Sequence, residues 1–284
     1  MNRVKTWVLI AALGGLFVIV GGLVLGGAKG LFIGLLFGLG FNLAMYWFSD
    51  KIAVTTTRSK PVTEQEYPKL YEIVRELTSA QGMPMPRIYV SEMAQPNAFA
   101  TGRNPHHAVV AVTKGLLAIV DDHELRGVLA HELSHVVNRD ILIGSIAAGI
   151  ATSITFIARM AFWFGGGDNR NNPLGPIGLL LAWILAPIAA LLIQMAVTRS
   201  REYQADESGA YLSRDPESLA NALRKLESVS KQVPAPATVG PSEAHLFIVN
   251  PLAGRRVAFG NMFQTHPPTA DRIARLEQIA AKLH

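Results

Sequence analysis

The sequence contains no cysteine. Any metal site in this chain must therefore be built from histidine, aspartate or glutamate side chains. The absence is compatible with a cytoplasmic setting for the polar part of the chain, because disulfide bonds are rare there. Recognised nucleic-acid-binding modules are also missing, so nucleic acid is not an expected partner despite the net charge of +5.

Charged residues are missing from four long apolar runs. The runs are residues 7–28, 31–48, 141–158 and 174–198, and the third continues beyond Arg159 to residue 164. A helix of about 20 apolar residues crosses a hydrocarbon core of about 30 Å. The runs therefore predict two membrane-spanning helical hairpins. For the second hairpin, the alternative is a hydrophobic pair of helices that lies on the membrane surface or packs against protein.

Basic residues flank the apolar runs mainly on one side. The ends that face the polar parts of the chain carry Arg3, Lys5, Lys51, Arg58, Lys60, Arg139, Arg199 and Arg201. Because basic flanks stay on the cytoplasmic side of a membrane, we expect both termini and the polar parts in the cytoplasm. The same residues favour anionic lipid head groups, which makes the lipid bilayer an expected partner.

Five consecutive residues in the first polar part read His-Glu-Leu-Ser-His. Apolar residues at three- and four-residue spacing around them predict a helix that begins at Asp121. On that helix His131 and His135 share a face, so both rings can bind one metal ion. Glu132 then lies beside the position left for water, a pattern typical of a zinc site with its general base. The alternative is a surface helix with two solvated histidines.

A catalytic zinc ion commonly takes a third protein ligand, and Glu202 is our candidate. The residues between His135 and Glu202 are mostly the third and fourth apolar runs, and a hairpin of these would return the chain to the same side. Asp206 lies one helical turn after Glu202, where it would accept the second ring N–H of a ligand histidine. Elsewhere, a glutamate and an aspartate at this spacing commonly form only a solvated face.

Short β-rich runs separated by turn residues precede the motif helix and predict a small antiparallel sheet. The predicted strands are Arg87–Ser91, Ala98–Thr101 and Ala108–Thr113, and the other predicted amphipathic helices are residues 64–80, 215–231 and 270–283. An edge strand can pair with an extended peptide through its backbone. The candidate substrate-binding residues are therefore Asn97, Ala98, Phe99 and Ala100, with Ala108–Thr113. The alternative is that these are plain scaffold strands.

His266 precedes two prolines, which hold it in a stiff, extended segment. It is therefore a candidate catalytic residue that would stabilise the oxyanion. Alternatively, His266 only leads into the last helix, with Thr269 as the N-cap.

These motifs resemble the HtpX-type membrane metalloproteases, which are relatives of the CAAX prenyl endopeptidases and of the mitochondrial Oma-type proteases. The resemblance rests on His131-Glu132-x-x-His135 and Glu202-x-x-x-Asp206, on the paired apolar runs, and on Asn97-Ala98-Phe99-Ala100 and Thr265-His266-Pro267. It implies one zinc ion per chain, bound by His131, His135 and Glu202, with Glu132 as the catalytic carboxylate. It also implies quality control of damaged or misfolded proteins in the inner membrane, with cleavage on the cytoplasmic side.

We therefore predict a multi-pass inner-membrane zinc endopeptidase whose substrates are membrane proteins or unfolded polypeptides. Its fold is an α+β, zincin-like metalloprotease domain, mostly α with a small antiparallel sheet, joined to transmembrane helices. The predicted boundaries are 1–50 and 141–198 for the hairpins, and 51–140 and 199–284 for the two parts of the metalloprotease domain. The alternatives are a metal-binding or chaperone-like membrane protein with a structural zinc, and a prenyl-peptide endopeptidase.

Overall fold

A computed structural model describes part of the chain. The described residues are 36, 47–48, 50–51, 53–138, 140, 199–230, 232–233, 247–249 and 267–283. The four apolar runs predicted to span a membrane lie almost entirely outside these residues. Within the described ranges, no helix combines the length and the apolar character that crossing a membrane requires.

The chain divides into two compact units. One unit comprises Met1–Trp47 and Leu142–Val197, and the other comprises Phe48–Ile141 and Thr198–His284. The second unit contains the histidine motif and all the strands and helices described below. The assignment of residues 1–50 and 141–198 to transmembrane hairpins stays a prediction.

Four strands form one mixed sheet in the second unit. They are β1 (Lys60–Pro61), β2 (Arg87–Ser91), β3 (Ala98–Thr101) and β4 (Val109–Thr113). Their order is β1-β2-β4-β3, in which β2 and β4 are parallel and the two outer pairs are antiparallel. The three predicted strands are confirmed, but the prediction of a purely antiparallel sheet is wrong. The chain reverses direction between β3 and β4, so these two strands are antiparallel. On its other side β4 pairs with β2, which runs in the same direction.

The described part of the second unit also contains helical residues within 48–56, a 3-10 turn at Pro105–His107, and six further helices. They are α1 (Pro68–Ala80), α2 (Lys114–Leu117), α3 (Asp122–Val137), α4 (199–213), α5 (Pro216–Ser230) and α6 (Thr269–Leu283). The first begins later than predicted because a residue before proline, here Tyr67, is kept out of the helical conformation. Thr269 is not the N-cap that the alternative interpretation of His266 placed there, since it is already helical and the Pro268 carbonyl accepts from the Arg272 N–H.

The motif helix α3 occupies the centre of the second unit. It packs against α1, β3 and α5, and α5 packs in turn against α6. Its start is fixed as predicted, because the Asp121 carboxylate accepts from the Glu124 N–H at 2.9 Å and the Glu124 carboxylate accepts from the Asp121 N–H at 3.0 Å. The apolar side chains buried around it include Val110, Leu129, Leu133, Leu223, Leu226 and Leu276. Both histidines of the motif are therefore held on a rigid, buried element.

Replacing Gly127 by alanine tests the packing of α3 against α5. In an unobstructed helix this change raises stability by about 1 kcal/mol. Here the added Cβ would lie 2.8 Å from the main-chain nitrogen of Leu219, so we expect the free energy of unfolding to fall by about 1 to 3 kcal/mol. Denaturant unfolding of the detergent-solubilised protein measures the change. The control is Ser79→Ala on the exposed side of α1, and a more stable Gly127→Ala protein would contradict the close approach.

Candidate active site

The two histidines of the motif point towards each other on α3. Their Nε2 atoms are 3.2 Å apart, and the rings are nearly perpendicular, with an interplanar angle of 88°. His131 is 1% exposed, whereas His135 is only partly buried. Two imidazole nitrogens at this distance on one helix face are positioned to share one ion.

Glu202 on α4 completes a triangle with the two rings. Its Oε2 lies 3.6 Å from His131 Nε2 and its Oε1 lies 3.5 Å from His135 Nε2. Ligands bound tetrahedrally to zinc at about 2.05 Å lie about 3.3 Å from one another. The three side chains therefore could hold one metal ion, with one ligand atom from each of them. The sequence predicted these three ligands, and the structure brings them together.

Gly209 explains how α4 comes close enough to supply Glu202. A Cβ on Gly209 would lie 2.8 Å from both the Cα and the nitrogen of His131. The backbones of α3 and α4 are thus in direct contact at a ligand residue. A larger residue at 209 would have to push the two helices apart, and with them the metal ligands.

Glu132 lies beside the candidate metal ligands, where the motif predicted a general base. Its Oε2 accepts from the Ala100 N–H of β3 at 3.0 Å, and its Oε1 lies 4.0 Å from His131 Nε2. Glu132 is 6% exposed, and this burial raises the pKa of its carboxyl group. A raised pKa brings a carboxyl closer to neutral pH, where it can take up a proton and release it again.

Each histidine of the motif has a carboxylate at its Nδ1 atom. Asp206 Oδ1 lies 3.0 Å from His131 Nδ1, and Asp140 Oδ2 lies 2.9 Å from His135 Nδ1. Such partners fix the orientation and the tautomer of a metal-binding histidine. The sequence predicted this contact for Asp206 but missed Asp140. Asp140 is five residues after His135, a spacing that does not mark a shared helix face, so no pattern indicated it.

Each of these carboxylates is paired with an arginine. Arg272 on α6 donates to Asp206 through Nε at 2.9 Å and Nη2 at 2.7 Å, and Arg201 Nε lies 3.1 Å from Asp140 Oδ1. Sequence analysis did not find either arginine as part of the site. Arg272 is 1% exposed and so far along the chain that no periodicity connects it to the motif.

The charged groups in this cluster strongly change one another's pKa values. Burial alone would raise the pKa of Asp206, but Arg272 and His131 lower it to about 2. Burial would likewise lower the pKa of His131, but the contacts with Asp206 and Glu202 raise it to about 10. The same two carboxylates raise the pKa of Arg272 against the effect of its burial. Asp206 is therefore ionised, and a metal ion that binds His131 has to displace a proton.

The predicted substrate-binding residues Asn97–Ala100 lie on or just before β3, an outer strand of the sheet. The prediction that Ala108–Thr113 lie on an edge strand is wrong, because β4 is paired with β2 on one side and with β3 on the other. The side chains of Asn97, Ala98, Phe99 and Ala100 are all buried. An extended peptide would therefore contact the main chain of β3 and not these side chains. Substrate binding by these residues stays a prediction. The other predicted catalytic residue, His266, lies outside the described residues.

Comparison with known proteins finds one matching family and similar proteins that span nearly the whole chain. Residues 64–280 match peptidase family M48. The chain is 50% identical to the Protease HtpX homolog of Pelotomaculum thermopropionicum, with 99% of this chain and 100% of that protein covered. It is 52% identical to the Protease HtpX homolog of Syntrophobacter fumaroxidans, covering 98% and 99%.

A solved structure, that of S. mikatae Ste24p, has a similar fold. The TM-score is 0.58 at 21% sequence identity, and the alignment covers 97% of this chain and 65% of the Ste24p chain. The present chain thus spans about two-thirds of that protein, and at this identity the likeness concerns the fold alone.

Replacing Asp140 by asparagine tests its contact with His135. Because partners of this kind orient metal-binding histidines, we expect the affinity for zinc to fall by about 10- to 100-fold. Competition with a chromophoric chelator measures the dissociation constant. The control is Asp215→Asn, since Asp215 also faces a histidine, the exposed His123, at 3.9 Å but lies outside the site. Equal zinc affinities of the Asp140 variant and the wild type would contradict the assignment.

Proposed function

Because this chain belongs to peptidase family M48 and is a metallopeptidase, we propose that it is a zinc-dependent membrane endopeptidase that acts in protein quality control. The resemblance to the HtpX-type proteases is confirmed by the curated relatives. The observation that supports the proposal best is the position of Glu132, whose buried carboxylate lies beside the cluster of His131, His135 and Glu202, at 4.0 Å from His131 Nε2.

The donor set favours zinc in a catalytic role. His131, His135 and Glu202 would hold the ion, which supplies a Lewis acid that polarises the scissile carbonyl and lowers the pKa of a water molecule. Two histidines and one glutamate with an open position are typical of zinc peptidases, whereas structural zinc sites usually have four protein ligands. A purely structural or chaperone-like role is therefore disfavoured.

Glu132 would act as the proton carrier. Its carboxylate would accept a proton from the attacking water and pass that proton to the leaving amine. The Ala100 N–H donates to one oxygen of the Glu132 carboxylate at 3.0 Å. This hydrogen bond would keep the carboxylate in one orientation throughout the reaction. The same hydrogen bond places the main chain of β3 directly beside the reacting groups. A peptide that paired with β3 would thus lie next to Glu132.

The membrane setting and the substrates are supported by the sequence. The four uncharged runs would form two transmembrane hairpins, and the basic flanks would keep both termini and the active site in the cytoplasm. An active site in the cytoplasmic part of a membrane-anchored chain would be suited to damaged or misfolded membrane proteins and to unfolded polypeptides. Specificity for prenylated peptides is disfavoured, because the CAAX relatives have more spans than four apolar runs supply.

The substitution Glu132→Gln tests the proposed catalytic role. We expect cleavage of an unfolded polypeptide to fall by at least about 100-fold, because the amide cannot accept the proton. Zinc bound per chain should stay near one, since the three ligands are retained. Glu76→Gln, an exposed change on α1, is the matched control. Undiminished cleavage by the Glu132 variant would refute its role as the base, and loss of zinc would show that Glu132 is instead a ligand.

Single cysteines can map the proposed membrane topology, because the natural chain has none. Cysteine replaces Asn2 or His284 at the termini, and Gly30 or Asn171 at the hairpin tips. In intact cells, an impermeant maleimide should label only the two tip variants, whereas all four should react after lysis. Labelling at residue 171 that requires lysis would show that the second hairpin does not cross the membrane.

A further inference from the structure

Arg272 is a charged residue in the interior of the second unit. It is 1% exposed and belongs to the C-terminal helix α6, whereas the metal ligands belong to α3 and α4. Burying a guanidinium is costly unless its N–H groups are all directed at acceptors. The contacts of Arg272 therefore indicate what holds this end of the chain in place.

One side of the guanidinium binds Asp206 with two hydrogen bonds. Nε donates to Oδ2 at 2.9 Å and Nη2 donates to Oδ1 at 2.7 Å. The same Oδ1 lies 3.0 Å from Nδ1 of the metal ligand His131. A change in the position of Arg272 is thus passed to the imidazole through this shared oxygen atom. The guanidinium also lies close to two proposed ligands, with Nη2 3.4 Å from His131 Nε2 and Nη1 3.5 Å from Glu202 Oε2.

The other side of the guanidinium is held by the main chain at Ile248. Arg272 Nη1 donates to the Ile248 carbonyl at 3.1 Å, and the Ile248 N–H donates to the Asn97 side chain at 3.0 Å. Asn97 is itself fixed to β4, because its N–H donates to Thr113 Oγ1 at 2.9 Å. The guanidinium is therefore held between the sheet and the metal ligands and has little freedom to turn.

We propose that Arg272 is a positioning residue for the metal centre, through which the C-terminal helix α6 completes the site. It holds Asp206 in the orientation that fixes the ring of His131. The planar fork is essential to this role, since it makes two parallel bonds to one carboxylate and still reaches Ile248. A lysine at this position keeps the charge but offers only a compact ammonium group, which cannot reproduce that geometry.

The inference rests on the proposed zinc site. A positioning role and a merely structural role of Arg272 predict different zinc affinities for the variant Arg272→Lys. If Arg272 only balanced the buried charge of Asp206, lysine would preserve zinc binding. If Arg272 orients Asp206, lysine weakens zinc binding even in a folded protein. The zinc affinity of Arg272→Lys therefore separates the two roles.

The experiment uses the full-length protein in detergent and measures the zinc dissociation constant by chelator competition. We expect Arg272→Lys to bind zinc about 10- to 100-fold more weakly than the wild type, as for other residues that orient a metal-binding histidine. The matched control is Arg275→Ala on the same helix. Arg275 stacks 4.4 Å from the Tyr203 ring on α4 and does not contact Asp206, so its removal should leave zinc affinity unchanged.

A second variant guards against loss of the fold. In the double variant Asp206→Asn with Arg272→Gln, both buried charges are removed together, so the interior is left without an unpaired ion. We expect it to keep the circular dichroism spectrum of the wild type but to bind zinc at least about tenfold more weakly. Wild-type affinity in either Arg272→Lys or the double variant would overturn the inference. Absence of zinc binding in the wild type would instead contradict the proposed function.

Discussion

The structure depends on the convergence of two imidazoles and a carboxylate at a buried point between α3 and α4. The ligand atoms lie 3.2 to 3.6 Å apart, and His131 and Glu202 are 1% and 6% exposed. Polar groups removed from water in this way require partners. The neighbouring residues supply them, since each histidine has its own aspartate and each aspartate its own arginine. These contacts orient the side chains that we propose as metal ligands.

The packing of the second unit explains why these partners come from such distant parts of the sequence. The motif helix α3 is enclosed by α1, β3 and α5, and α6 reaches the site by packing on α5. Glycines allow the helices to approach closely, at Gly127 against Leu219 and at Gly209 against His131. Through Arg272 and Asn97, the last helix and the sheet are both connected to the metal ligands. Stability and activity are therefore expected to be closely linked in this fold.

Local patterns predicted much of the fold and of the site. Periodicity and capping located α3, and turn residues located the three main strands, because both signals depend on neighbours in the sequence. The candidate metal ligands could be proposed from the sequence for a similar reason, since two of them lie one turn apart on one helix. The direction of β4, the two-residue strand β1 and the contacts of Asp140 and Arg272 with the candidate site were missed. These features depend on which distant segments pack together, and no sequence periodicity records that.

The zinc-edge X-ray absorption spectrum of the purified protein tests the central claim most directly. We expect one zinc ion with two imidazole nitrogens and two oxygens at about 2.0 to 2.2 Å, and no sulfur. One of those oxygens should belong to Glu202. If the Glu202→Ala protein still binds zinc, its spectrum should therefore lose one oxygen and keep the two imidazole signals. Loss of the bound zinc in this variant would also agree with the account. A zinc environment that is the same in the wild type and in Glu202→Ala would contradict the account.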